Sequence, residues 1–177
     1  MKIIGFAGSN SKKSINKQLV KYTLSQITSA ETEELDITDY PLPIYGIDLE
    51  KESGIPQAVH DFIDKVQTAD GLVISLAEHN GSYTVAVKNL LDWCSRCETG
   101  FFKNMPVLLM GASPGGYGAK NVLGAAEKRF PKFGAQLISI YSFPSFDDNF
   151  SKENGIVAPE LKKEHDEAIR KFVDSLK

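Results

Sequence analysis

The strongest constraint on the fold is the opening of the chain. Lys2 to Ala7 is a nearly unbroken apolar run of strand length, of the kind buried on both faces of a parallel sheet. It ends in a small, hydroxyl-rich, locally basic stretch, Gly8-Ser9-Asn10-Ser11-Lys12-Lys13-Ser14, and a helical pattern starts at once. Ile15, Leu19, Tyr22, Thr23 and Ile27 carry its spacing. Ser9, Ser11, Ser14 and Asn16 are helix-capping residue types whose side chains can also donate hydrogen bonds to an anion. The free N–H groups of a helix start, Ile15 among them, add donors and a positive partial charge. Strand, loop and helix N-terminus together make a phosphate cradle, although a plain helix cap uses the same residues. The loop is neither the Gly-Lys-Ser/Thr phosphate loop nor the G-x-G-x-x-G dinucleotide turn.

The same alternation continues. Thr32 to Thr38 alternates polar and apolar residues, as an edge strand does. Asp39 to Gly46 contains two prolines and four large apolar or aromatic groups, which makes it an irregular loop: a cover for the sheet edge, a subunit contact or a pocket wall. Ile55, Val59, Phe62, Ile63 and Val66 predict a helix, with Pro56 at its start. Strands are expected at Asp70 to Ala77, Met105 to Ala112 and Gly134 to Tyr141. Helices are expected through Tyr83, Val87, Leu90, Leu91 and Cys94, over Ala119 to Arg129, and from Leu161 to Leu176. Five strand–helix repeats in 177 residues imply an α/β fold in one domain over residues 1–177, a doubly wound parallel sheet with helices on both faces. Such sheets bind ligands at the carboxyl ends of their strands. The unusual loops fall there: Gly8-Ser9-Asn10-Ser11, Glu78-His79-Asn80-Gly81-Ser82 and Ser113-Pro114-Gly115-Gly116-Tyr117-Gly118. The opposite edge holds ordinary turns.

A net charge of −3 without a basic run argues against nucleic acid as a partner. No stretch has the length of a membrane span, and the start lacks the apolar core of a signal peptide, so the expected location is the cytoplasm. Cys94 and Cys97 form a C-x-x-C near the end of a predicted helix. That is the wrong end for lowering a thiol pKa, and no second ligand pair for zinc exists, so ordinary reduced thiols are expected and no metal.

The three loops together resemble those of the NAD(P)H-dependent FMN reductase family, flavodoxin-like proteins that include azo-dye, quinone and chromate reductases. Gly8-Ser9-Asn10-Ser11-Lys12-Lys13-Ser14-Ile15-Asn16 resembles the family's G-S-x-R-x-x-S-x-N. Ala77 to Thr84, continued by Lys88-Asn89 and Asp92-Trp93, resembles P-E-Y-N-x-S-x-P followed by L-K-N and D-W. Ser113-Pro114-Gly115-Gly116 resembles the S-P-G-G loop. The resemblance implies a three-layer fold with strand order 2-1-3-4-5 and bound FMN, with NAD(P)H as co-substrate. Ser9, Ser11, Ser14, Ile15 and Asn16 would lie at the FMN phosphate. Glu78, His79, Asn80, Gly81 and Ser82 would lie along the ribityl chain and ring edge, and Ser113, Pro114, Gly115 and Gly116 at the ring itself. It also implies a homodimer or homotetramer, with the Lys88–Trp93 helix at the contact.

The chain departs from that pattern. Ser11 stands where the family has arginine, which removes a bidentate charged partner and leaves Lys12 or Lys13 to supply charge. Ala77 and Thr84 replace prolines, a change expected to loosen the second loop. His79 replaces tyrosine and is the one candidate proton donor. No other catalytic side chain is needed, because the flavin carries the chemistry. The expected activity is hydride transfer from NAD(P)H through FMN to a small acceptor: free flavin, quinone, azo compound or metal oxyanion. The rivals are a flavodoxin-type electron carrier without enzymatic turnover and a flavin-binding protein.

Overall fold

The computed structural model describes residues 1–177. The first half runs β1 (Lys2–Gly8), α1 (Ile15–Gln26), β2 (Glu31–Leu35), α2 (Ile47–Ser53), α3 (Gln57–Val66) and β3 (Gly71–Leu76). A tight hairpin of β4 (Glu78–His79) and β5 (Ser82–Tyr83) leads into α4 (Val85–Cys97), β6 (Met105–Ala112), α5 (Lys120–Arg129) and β7 (Ala135–Phe143). The chain ends with α6 (Phe146–Asn149), a second hairpin of β8 (Phe150–Ser151) and β9 (Gly155–Ile156), and α7 (Pro159–Asp174). Five strands form one sheet in the order β2-β1-β3-β6-β7, parallel throughout. Counted over the five main strands this is the expected order 2-1-3-4-5.

Alternation along the strands divides the core into two layers. Ile4, Phe6, Leu72, Ile74, Val107 and Leu109 point toward α3, α4 and α5. Ile3, Ala7, Val73, Leu108 and Met110 point the other way, toward α1 and α7. All are fully or nearly fully buried, which explains why β1, β3 and β6 read as continuous apolar runs rather than as alternating ones.

Several boundaries differ from the sequence-based expectation, each for a local reason. The second strand stops at Leu35, because Asp36 accepts from the Thr38 N–H at 2.9 Å and starts a 3-10 turn over Ile37–Asp39. The fifth begins at Ala135, after Gly134 in a left-handed conformation, and runs on to Phe143. Helix α3 starts at Gln57, since Pro56 has extended backbone and Ile55 lies before it. The short helix α2 and the hairpin β8–β9 had no clear signal in the sequence. The proline loop covers the core beside α4. Its Pro43 carbonyl accepts from Asn89 Nδ2 at 2.9 Å and Trp93 Nε1 at 2.8 Å, and Asn89 Oδ1 accepts from the Tyr45 N–H at 2.8 Å. Trp93 is fully buried by this contact, not presented on a surface, and Lys88 pairs within its own helix to Asp92 at 2.7 Å.

One buried polar group makes the fold sensitive to acid. His165 of α7 is completely buried; its Nε2 lies 2.8 Å from Thr23 Oγ1, and that hydroxyl lies 2.8 Å from the Leu19 carbonyl. With Thr23 donating to Leu19, the imidazole Nε2–H donates to Thr23, and Nδ1 has no hydrogen-bond partner. Protonation would bury an unpartnered charged N–H, so burial pushes the His165 pKa down to about 4, against the weaker opposing pull of Asp166. The unfolded chain therefore binds the extra proton first, and stability present above pH 6.5 is lost as the pH falls toward 4. A shift of this size corresponds to roughly 3 kcal/mol. Urea midpoints should fall between pH 7 and pH 4.5, and His165→Gln should flatten that dependence; an unchanged slope would contradict the assignment.

Candidate functional site

The carboxyl ends of β1, β3 and β6 meet at one edge of the sheet, and the three unusual loops rise from them. The first loop is organised by serines that accept from the backbone. Ser9 Oγ accepts from the Ser11 N–H, Ser11 Oγ from the Lys13 N–H, and Ser14 Oγ caps α1 by accepting from the Lys17 N–H, each at 3.3 Å. Each hydroxyl therefore keeps its O–H to donate elsewhere. The N–H groups of Asn10, Lys12, Ile15 and Asn16 have no acceptor within the chain. Lys12 and Lys13 are exposed beside them. A crown of unused donors at a helix N-terminus, with cationic side chains beside it, is the chemistry of an anion site.

Asn16 departs from its expected place among the free side-chain donors. It is 1% exposed, and its amide joins strand ends instead. Its Nδ2 donates to the Ala112 carbonyl at 3.1 Å, and its Oδ1 accepts from the Ala112 N–H at 2.9 Å and from Ser75 Oγ at 2.7 Å. The side chain thus pairs with both peptide groups of Ala112 as a neighbouring strand would. It fixes where α1 begins, and its main-chain N–H is left for a ligand.

The second loop is a hairpin turning on Asn80 and Gly81, with φ of 50° and 75°. Two consecutive left-handed residues are what a two-residue hairpin turn requires, and Asn-Gly provides them. His79 and Ser82 are exposed on either side of this turn. Glu78 does not face outward with them. Its carboxylate reaches α5, accepting from the Val122 N–H at 2.9 Å and from Asn121 Nδ2 at 3.1 Å. The residue at the cap of that helix, Ala119, has φ of 57° and no side chain able to cap, so Glu78 supplies the cap from another loop. Thr84 also corrects an expectation. Its hydroxyl donates to the Gly8 carbonyl at 2.8 Å and accepts from the Val87 N–H at 3.3 Å, so it caps α4 and ties it to the end of β1. Threonine in place of proline fastens this loop. The capping pattern was present in the sequence, a hydroxyl residue immediately before the apolar period of α4.

The third loop closes on Ser113, whose Oγ accepts from the Gly118 N–H at 2.9 Å and donates to the Gly115 carbonyl at 2.8 Å. Gly118 is required by the fold itself: its φ is 66°, and a Cβ there would meet Ser142 Oγ at 2.3 Å. Gly115 and Gly116 are different. A Cβ at Gly115 would meet nothing within 4 Å, and at Gly116 only Ser145 Oγ at 4.0 Å. Both N–H groups lack an acceptor within the chain, and Pro114, Gly115 and Gly116 are exposed. Neither packing nor backbone conformation demands glycine here, which leaves room above the loop for a flat group to approach the main chain.

On the far side a cavity of about 490 Å³ opens between Asn10, the proline loop and the start of α4, with His79 at its rim. Cys94 and Cys97 lie away from this edge. Burial pushes both thiols up, Cys94 most, so both remain protonated at neutral pH. No group of three or more His, Cys, Asp or Glu side chains is placed to hold a metal ion. The contact between Glu78 and α5 can be tested directly. Glu78→Ala should cost about 1–2 kcal/mol in urea denaturation, the worth of a helix cap. Glu78→Gln, which keeps one acceptor oxygen, should recover at least half of the loss. Equal losses in the two variants would show that the carboxylate does not act as a cap.

The profile of the family described as NADPH-dependent FMN reductase matches residues 1–147. An NAD(P)H-dependent FMN reductase of Pseudomonas aeruginosa is 31% identical over 119 residues, 67% of this chain and 63% of that protein. A quinone reductase of Escherichia coli is 31% identical over 116 residues, 65% of this chain and 61% of that one. The chain thus spans less than two thirds of the length of these two relatives. Among solved structures, a flavoenzyme NAD(P)H:(acceptor) oxidoreductase from Paracoccus denitrificans superposes with a TM-score of 0.76 at 22% identity, covering 99% of this chain and 96% of the other, a likeness of fold. With the profile matched from the first strand through the glycine loop, the chain belongs to the NADPH-dependent FMN reductase family.

Proposed function

We propose that residues 1–177 act as one FMN-binding domain that oxidises NAD(P)H and reduces a small acceptor such as a quinone, free flavin, azo compound or metal oxyanion. The observation that carries this reading is the donor crown of the first loop, placed across the sheet edge from the open backbone of Gly115 and Gly116. One end suits a phosphate dianion; the other suits the polar edge of a planar ring. When bound, FMN supplies the redox chemistry, taking a hydride equivalent from the nicotinamide and giving two electrons to the acceptor. The residues of the chain bind and orient. Ser9, Ser11 and Ser14 donate to the phosphate with the N–H groups of Ile15 and Asn16, and Lys12 and Lys13 add positive potential in place of the family's arginine. The Gly115 and Gly116 N–H groups meet the ring, and the Asn80-Gly81 turn with His79 and Ser82 borders it. Glu78 and Ser113 hold these loops in place without touching the ring.

Ser9→Ala should weaken FMN binding by about 1–3 kcal/mol, the worth of a hydrogen bond to a charged group, while Ser11→Arg should tighten it. Calorimetric titration measures both, and steady-state NAD(P)H oxidation with a quinone tests turnover. Protein that neither binds FMN nor oxidises NAD(P)H with FMN added would overturn the reading.

The working unit in this reading is a homodimer. Ile44 is 77% exposed and Val85 71% exposed, and both line the cavity that His79 borders. Burial of such a patch against a second copy would remove it from water and enclose the ring side of the site. The two free cysteines suit the reducing conditions of the cytoplasm, and no helix is long and apolar enough to cross a membrane. Ile44→Glu with Val85→Glu should shift the dimer to monomer in sedimentation velocity at micromolar concentration. A wild-type monomer there would overturn the dimer.

A further inference from the structure

Beyond the phosphate cradle the positive charge continues along α1. Lys12, Lys13, Lys17, Lys21 and Lys152 surround an open groove of about 890 Å³, in which Glu34 is the lone acidic residue. This is the reverse of the chain's balance, which is −3 overall. Lys17 and Lys21 lie four residues apart on α1, so two like charges share one side of the helix, with Lys12 and Lys13 just before its Ser14 cap. Only Lys17 is compensated, by a close ion pair with Asp36. Lys12, Lys13, Lys21 and Lys152 have no carboxylate partner, and the Gln18 amide in the same groove makes no hydrogen bond.

The groove begins where the cradle ends. Ser14, whose free hydroxyl faces the proposed phosphate, is also one of its lining residues, and the groove reaches Ser25, about 16 Å along the helix. The phosphate of a bound FMN would therefore sit at the mouth of a cationic trough, not against a closed wall. A group esterified to that phosphate has a path outward. We infer that the trough takes the adenylate half of FAD, so that the chain accepts the dinucleotide flavin as well as FMN. The second phosphate meets Lys13 and Lys21, with Lys152 across the groove on the β8–β9 hairpin. Gln18 is the polar side chain free for the ribose or base, since the Ser25 hydroxyl already donates to the Tyr22 carbonyl at 2.7 Å. The inference rests on the flavin reading of the first loop and adds to it a site for a different part of the ligand.

Calorimetric titration of the apoprotein with FMN and with FAD at 0.15 M salt tests it. The expected result is a FAD dissociation constant no more than about threefold above that of FMN. The double variant Lys21→Glu, Lys152→Glu should weaken FAD by about tenfold or more and FMN by less than threefold, because two cations near the second phosphate become repulsive. An unchanged urea midpoint and circular dichroism spectrum confirm that the variant is folded. Strong FMN binding with FAD refused, or equal losses for both flavins in the variant, would overturn the trough and leave the FMN reading standing. Failure of both flavins to bind the wild-type protein would overturn both.

Discussion

Everything at the candidate site depends on where α1 starts, and that is set by the buried amide of Asn16. Parallel strands that end together leave peptide groups with no neighbour, and burying such groups unpaired costs about 1–3 kcal/mol each. Asn16 satisfies both peptide groups of Ala112 and the hydroxyl of Ser75, so one side chain joins the first loop to the ends of β6 and β3. Ser14 lies two residues before it and Ser9 at the foot of the loop, both nearly buried. The directions in which their hydroxyls can donate follow from that anchor.

The other two loops are fastened by the same logic. Thr84 binds the hairpin and α4 to the Gly8 carbonyl, Glu78 binds the hairpin to α5, and Ser113 closes the glycine loop on Gly118. In each case a polar side chain at the edge is engaged within the protein, and the groups left over are backbone N–H groups and serine O–H groups facing one crevice. A donor set fixed before any ligand arrives avoids the entropy of ordering it on binding. The division of labour differs from one in which every polar side chain near a ligand touches it. Asn16, Glu78 and Ser113 act one step back, and the main chain they hold makes the approach.

The layer structure was legible because it rests on periodicity. The doubly buried runs of β1, β3 and β6 and the apolar spacing of α3, α4 and α7, given short right-handed connections, imply a doubly wound parallel sheet, while the strand order came from the family resemblance. The candidate site was expected at the carboxyl ends of the strands, where such sheets bind ligands. What the sequence hid were pairings between distant residues. Asn16 looks the same whether its amide meets a phosphate or the Ala112 peptide 96 positions away. Glu78 reads as a ring-edge residue until α5, 44 positions on, is seen to lack its own cap. Thr84 read as a lost proline, yet its hydroxyl reaches Gly8, 76 positions earlier. Residue type limits what a side chain can bond, but only the packed sheet decides which partner is in reach.

That distinction bears on Ser11. An arginine in its place would bring a planar, always-charged fork to an anion, and charge with geometry in one residue. Here the two are separated. Geometry comes from neutral donors fixed by Asn16 and by the cap at Ser14, whereas charge comes from flexible lysines at 12 and 13 that form no ion pair. Exposed lysines act through a field that salt screens within about 8–10 Å, while N–H groups in contact with a ligand are screened far less. In the proposed flavin site the neutral donors therefore select the shape of the bound group, and the lysines raise the affinity of any anion that fits. A site divided in this way is less committed to a single terminal phosphate than one closed by an arginine fork. The unpaired Lys21 on α1 and Lys152 across the groove extend the same weakly selective field away from the cradle.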